Sequence, residues 1–262
     1  MSDALYIAAT GMQAQQAQVD AISNNIANLN TNGFKKSRVS FEPLMPQVMQ
    51  QAGAAAQSFE QHAPSYKGMG AAVASLAADF TPGELKQTQR ELDVAINGAG
   101  FFEVQLPDGT VAYTREGALR IDQQGMLALS SGLPLSAQIS IPTDAESVVI
   151  NADGRVQIKH PGSDELSDAG YLELARFVNE RGLKPMSDGV FLATEESGDA
   201  LIGRPGENGV GALAQGYVES SNVQMVEELT SLMVAQRAYE ASSKVLAAAD
   251  EMQSIVNNLR RG

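Results

Sequence analysis

Apolar positions recur along this chain with two different periods. From Leu5 they fall three and four apart for about four heptads, with Leu5, Met12, Val19 and Ile26 on one rail and Ala8, Gln15, Ile22 and Leu29 on the other. That spacing puts them on one stripe of a helix. The other faces carry Gln, Ser, Asn and Thr with almost no charge, and Asn28 to Gly33 supplies a helix stop. Near the other end, no Gly or Pro interrupts the chain from about Asn222 to Leu259. Leu229, Leu232, Gln236, Tyr239 and Leu246 form one stripe there. Val245, Ala249, Met252, Val256 and Leu259 form a second, shifted by one position. A frame change of this kind predicts a helix with different neighbours at its two ends. Ser221 or Asn222 is the expected N-cap, with Glu227 and Glu228 near the positive end of the helix dipole.

Between the ends the period drops to two, and turn residues punctuate the chain. Phe101 to Leu106, Pro107-Asp108-Gly109 and Thr110 to Thr114 read as strand, turn, strand. Leu119 to Ile121 and Met126 to Leu129 flank a turn at Asp122 to Gly125, and Val148 to Ile150 and Val156 to Lys159 flank one at Asp153-Gly154. Leu172 to Val178 and Val190 to Ala193 are further expected strands. The predicted fold is α+β: an N-terminal helix (1–33), an extended arm (34–83), a central antiparallel β domain (84–216) and a C-terminal helix (217–262). The terminal helices are expected to form a coiled-coil-like core region.

One amphipathic helix packed on its own domain would explain either stripe alone. Two stripes at opposite ends of a chain with a β middle, one of them on a nearly uncharged helix, predict association between copies. The residues expected to carry it are Leu5, Ala8, Met12, Val19, Ile22, Ile26 and Leu29 in the first helix. In the second they are Leu229, Leu232, Gln236, Tyr239, Val245, Leu246, Ala249, Met252, Val256 and Leu259.

Composition narrows the partners. The formal net charge of −13 repels phosphate backbones, so nucleic acid is not an expected partner. There are no cysteines, which removes disulfides, thiolate metal sites and a Cys nucleophile together. No window reaches the roughly 18 apolar residues of a membrane span, so no insertion into a membrane is expected. The start, Met1 to Leu5, lacks a basic n-region and an apolar h-region, so if the protein leaves the cytoplasm it does so without an ordinary Sec signal.

A catalytic or cofactor constellation is not legible, and no cofactor is expected. His62 and His160, the two histidines, have no neighbour at metal-ligand spacing. Gly98-Ala99-Gly100 runs straight into Phe101-Phe102, and the glycines at 203, 206, 209 and 211 have the wrong spacing for a phosphate loop. Asn151 to Gly154 offers too few oxygens for calcium. Glu195-Glu196 reads as a solvated loop, and no Gly-x-Ser-x-Gly elbow supports a triad. The pattern predicts a structural subunit and not an enzyme, with a ligand-binding β domain as the alternative from another class.

Three runs carry a family resemblance. The first is Ala8 to Gln16 with Ser23-Asn24-Asn25-Ile26-Ala27-Asn28 and Thr31-Asn32-Gly33-Phe34-Lys35. The second is Leu92 to Phe102 with Tyr113 to Gly117, and the third is Gly216 to Val223 with Gln236 to Glu240 and Lys244. Together they resemble the rod and hook family of the bacterial flagellum, with Asn24, Asn25, Ala27, Asn28, Thr31, Gly33 and Phe34 on the family motif. Length and a single β domain are most similar to the distal-rod branch, with proximal-rod and hook subunits as alternatives. The arm from about 43 to 66 is similar in position to a segment linked to rod stiffness, though not a close match. The resemblance implies type III export and a homo-oligomeric tube in the basal body. That tube would cross the periplasm and transmit torque among other rod subunits, the hook protein and ring bushings.

Overall fold

The computed structural model describes residues 2–44, 70–162 and 165–259. It is α+β, with a helix at each end and antiparallel sheets between them. Its contacts divide the chain into two units.

The first unit takes residues 1–23, 38–76 and 226–262. Helix α1 spans Ser2–Ala27 and helix α2 spans Met225–Leu259. α1 ends where the Asn28 side chain bonds the Asn24 carbonyl and the backbone breaks into turns. α2 begins three residues later than Asn222, and neither expected N-cap caps it. Ser221 Oγ instead accepts the Val223 amide, and Asn222 is taken by the β unit described next. The ends of the predicted arm are strands, Ser37–Pro43 and Ala71–Ala78, paired as a two-stranded sheet. Their small residues give a weak strand signal, which is why the sequence reads as an arm. The Gln47 to Pro64 stretch and His62 lie outside the described residues.

The second unit takes residues 24–37 and 77–225. Its largest sheet has six strands in the order 184–185, 190–192, 111–114, 101–105, 174–176 and 201–203. Leu166–Tyr171, Arg155–Lys159 and Ser147–Ile150 make a three-stranded sheet. Three two-stranded sheets complete it: Ala212–Gln215 with Val94–Asn97, Tyr217–Glu219 with Leu85–Gln87, and Leu119–Ile121 with Leu127–Leu129. The expected hairpin turns are made by Asx geometry. The Asp122 carboxylate accepts the Gln124 and Met126 amides, and Gly125 supplies the positive φ of 80° that closes the turn. Arg155–Lys159 buries alternate residues, as a strand solvated on one face must.

The Leu172 to Val178 expectation is corrected. The strand there is only Leu174–Arg176, and Leu166–Tyr171 before it is a separate strand. Its polar Ser-Asp-Ala-Gly run and the register shift opposite Val156 and Gln157 mask the period of two. An aliphatic core containing Val94, Phe102, Val104, Leu127, Leu129, Val156 and Leu174 fills the unit. A second, aromatic cluster joins Phe80, Phe101, Tyr113, Phe177 and Phe191 edge to face, with ring centroids 4.8–6.4 Å apart.

Candidate assembly site

Two features stand out: the apolar surface of the helices, and a buried ion cluster where the chain enters and leaves the β unit. In α1, Ala8 and Ile22 of the expected stripe are buried, and Leu5, Met12, Val19, Ile26 and Leu29 are half-buried. The sequence reading missed Ala14 and Ala21, which are also buried. With Gly11 they form a small-residue seam one position back from the expected rails. A Cβ on Gly11 would sit 3.7 Å from Ser242 Oγ, so α1 meets α2 there without side-chain bulk.

The same shift occurs in α2. Its buried residues include Glu228, Ala235 and Ala249, which with half-buried Ser242 stand seven apart. Most of the larger expected residues are exposed: Leu229 at 44%, Tyr239 at 41%, Val245 and Met252 at 54% and Leu259 at 79%. Gln236 is exposed too, Leu232 and Leu246 are half-buried, and the Val256 side chain lies outside the described set. Met233, Val234 and Ile255, which fall outside both expected stripes, are also more than half exposed. Full burial goes to Glu228, Ala235 and Ala249, and most of the large apolar groups are left in solvent. Among the described residues, no helix is long and apolar enough to cross a membrane.

The ion cluster lies wholly inside the β unit. Glu219, at the end of the last strand, has a side chain only 1% exposed. Its Oε1 accepts Lys35 Nζ at 2.5 Å and the Gly83 amide at 2.8 Å. Its Oε2 faces Arg115 Nη1 at 3.6 Å, and the Arg115 guanidinium lies over the Phe101 ring at 5.2 Å. Lys35 Nζ also donates to the Thr81 carbonyl at 2.9 Å. The Glu219 carbonyl accepts the Gly33 amide at 2.7 Å. Gly33 has a φ of 71°, and an added Cβ would meet the Glu116 backbone nitrogen at 2.7 Å, so only glycine fits.

Polar clamps flank the cluster. Asn25 Oδ1 accepts the Ser37 amide at 2.8 Å, and its Nδ2 donates to the Ser37 carbonyl at 3.0 Å. Asn222 Oδ1 accepts the Lys36 amide at 2.8 Å, and its Nδ2 donates to the Asp79 carbonyl at 2.7 Å. Of the other motif residues, Thr31 donates to the Asn28 side chain within the helix-exit turn, and Phe34 closes that turn through its amide. Asn24 and Asn32 line an open cleft with Arg90 and Ser187, and Ala27 is exposed. Among the described residues, no three His, Asp or Glu side chains converge as metal ligands. His160 reaches Ser167 Oγ at 3.1 Å and Asp144 at 3.6 Å, an exposed pairing.

Burial pulls the Lys35 amine below its ordinary 10.5, and the Glu219 carboxylate opposes that only in part. Below 10.5 the unfolded chain therefore holds the lysine proton more tightly than the folded one. In that window stability rises with pH as the burial penalty on the charged amine is relieved. Tyr113 works the other way, because burial and Glu103 raise its pKa. The difference in melting temperature between the parent and K35M, followed from pH 8 to 10.5, isolates the lysine. The parent's melting temperature minus that of K35M should grow as pH rises, because only the parent gains the stability described.

Comparison with known proteins now places the molecule. Residues 5–35 match the model described as "Flagella basal body rod protein", 95–158 that of the "Flagellar hook protein FlgE/F/G D1 domain", and 214–259 that of the "Flagellar basal body rod FlgEFG protein C-terminal". The chain belongs to the flagellar basal-body rod family, a structural family and not one of enzymes. Within it, this is a distal-rod type of subunit of the flagellar basal body. It is 42% identical over 261 residues to the basal-body rod protein FlgG of Buchnera aphidicola subsp. Schizaphis graminum, covering 99% of this chain and 100% of that one. Caulobacter vibrioides supplies an internal contrast. Its FlgG is 41% identical over 259 residues (98% and 99% covered), and its FlgF only 32% over 253 (94% and 93%). Membership of the rod and hook family means assembly with other flagellar rod and hook components.

Proposed function

We propose that this subunit polymerises with copies of itself through its terminal helices, forming a tube that crosses the periplasm and transmits torque from motor to hook. α1 and α2 of one copy pair through their small-residue seam and present their larger apolar residues to neighbouring copies, as the wall of the tube. The expected stripes, Leu5 to Leu29 and Leu229 to Leu259, supply that apolar surface. The β domain forms an outer layer whose lateral contacts resist twist. Other rod subunits, the hook protein and ring bushings are the neighbours, and export proceeds without a cleaved signal.

The observation that carries this reading is the row of large exposed apolar residues on a 35-residue helix: Leu229, Met233, Val234, Tyr239, Val245, Met252 and Ile255. Fully burying one such side chain is worth about 1.5–3 kcal/mol, so a soluble chain that leaves seven of them wet has a surface still to cover. Sedimentation of the purified chain over a concentration series tests it. A sharp threshold should separate monomer from polymer, as mass action demands when folding of the wall and assembly are linked. A chain that stays monomeric at every concentration would contradict the reading.

A further inference from the structure

Asparagine is a chemically labile residue, most of all before glycine, which puts no Cβ in the way of its own nitrogen. The chain holds three such pairs, Asn32-Gly33, Asn97-Gly98 and Asn208-Gly209, and all three asparagines are exposed. Exposure therefore does not rank them, but the packing of the glycines does. The Gly33 amide donates to the Glu219 carbonyl at 2.7 Å, and a Cβ on Gly33 would meet the Glu116 backbone. Its nitrogen is free to react only after that contact opens. Asn97 closes the strand Val94–Asn97, opposite Ala212. Gly98 lies against Gly211, where an added Cβ would sit 2.8 Å from the Gly211 Cα.

The third pair is held differently. Asn208 and Gly209 are the centre of a tight turn, both with positive φ (50° and 76°), closed by the Val210 amide on the Glu207 carbonyl at 2.9 Å. A turn of this hand favours Asn-Gly for its backbone alone, which accounts for a labile pair at this place. Among the described residues, the Gly209 amide has no acceptor. A Cβ on Gly209 would meet only the tip of the exposed Arg176 side chain, at 3.0 Å. We infer that Asn208 is a site of spontaneous covalent modification, deamidating through its own backbone while the fold protects Asn32 and Asn97. The Gly209 nitrogen attacks the Asn208 Cγ; the new C–N bond forms as the Cγ–Nδ2 bond breaks, and ammonia leaves with the Gly209 proton. Water then adds to one or the other carbonyl of the cyclic imide and opens it to aspartate or isoaspartate. Either product sets a carboxylate near Arg176, whose Nη1 donates to the Asn208 carbonyl at 3.2 Å. Isoaspartate also lengthens the backbone of a turn that leads into buried Val210.

The test incubates the full chain at mildly alkaline pH and follows each Asn-Gly peptide by mass spectrometry. It reads the mass gain from amide to acid and the two isomeric products. Asn208 should convert at least about tenfold faster than Asn32 or Asn97, because those two wait on local opening. In a parallel sample unfolded in urea, the three rates should come within about threefold of one another. A native lead for Asn208 of less than tenfold, or a lead for either other asparagine, would overturn the inference. So would a lead that persists undiminished in urea, since the preference would then belong to local sequence and not to the fold.

Discussion

V234K/V245K leaves the monomer folded and raises the threshold for polymerisation at least about a hundredfold. Both valines are more than half exposed in the single chain, 62% and 54%, so lysine displaces no internal packing. Lysine also has the better helix propensity, so α2 is not weakened. In the polymer each valine still has roughly half of its 1.5–3 kcal/mol of burial to gain, and the pair forfeits roughly 2–3 kcal/mol. Two ammonium groups taken out of water add their own cost. The charge change works in the opposite direction. Two added cations bring a chain of net charge −13 nearer to neutrality, which by itself favours association. Loss of assembly would therefore report the exposed apolar surface of α2 and not a general repulsion. Circular dichroism with sedimentation checks both halves: unchanged helix content, and a shifted threshold.

Glu219→Leu should be the most damaging single substitution within the β unit. It leaves the Lys35 amine and the Arg115 guanidinium buried side by side without their anion, and the Gly83 amide without its acceptor. Breaking a buried pair by removing one partner costs about 3–5 kcal/mol. For a chain of this size that lowers the melting temperature by roughly 10 °C. K35M/R115M/E219Q should melt close to the parent despite carrying two more changes. That ordering, one substitution worse than three, separates an unpaired buried charge from simple loss of contacts. Thermal denaturation of the two variants measures it directly.

The sequence carries the helices well because α2 has no Gly or Pro and α1 keeps its three-and-four spacing through Gly11, and α1 stops at the Asn28–Gly33 signal as expected. It carries the hairpins at 101–114, 119–129 and 147–159 because turns that begin on Asp and end on Gly separate clear alternation. The buried seam inside the molecule is harder to read. Pattern reasoning weights Leu, Ile, Val and Met, so it chose rails one position away from Gly11, Ala14 and Ala21. In α2 it picked Ala249, which is buried, but gave most weight to large residues, most of which are left in solvent. Small residues bury little area yet decide how closely two helices approach, and a hydrophobic period does not register them.

The ion cluster shows a different limit. Lys35, Arg115 and Glu219 each sit in one of the three runs that carry the family resemblance, yet no local spacing links them. Each reads in sequence as a solvated side chain, Lys35 beside Lys36 and Arg115 beside Glu116. The runs meet through contacts between distant residues: the Gly33 amide on the Glu219 carbonyl, Lys35 and Arg115 on the Glu219 carboxylate, and the pairing of Val94–Asn97 with Ala212–Gln215. Pairings of such long sequence separation are set by tertiary structure and have no turn signal to mark them.

Methionine oxidation offers the most direct test of whether the helix stripe is covered on assembly. Met225, Met233 and Met252 of α2 are 50%, 53% and 54% exposed in the single chain, so dilute peroxide should convert them to sulfoxides readily. Mass spectrometry of each methionine peptide, before and after polymerisation, then reads the burial of the apolar surface of α2 residue by residue. Met233 and Met252 should be protected at least about tenfold in the polymer, where neighbouring copies exclude the oxidant. Equal oxidation rates in monomer and polymer would mean that the stripe stays wet, and the helices could not be the wall of the tube.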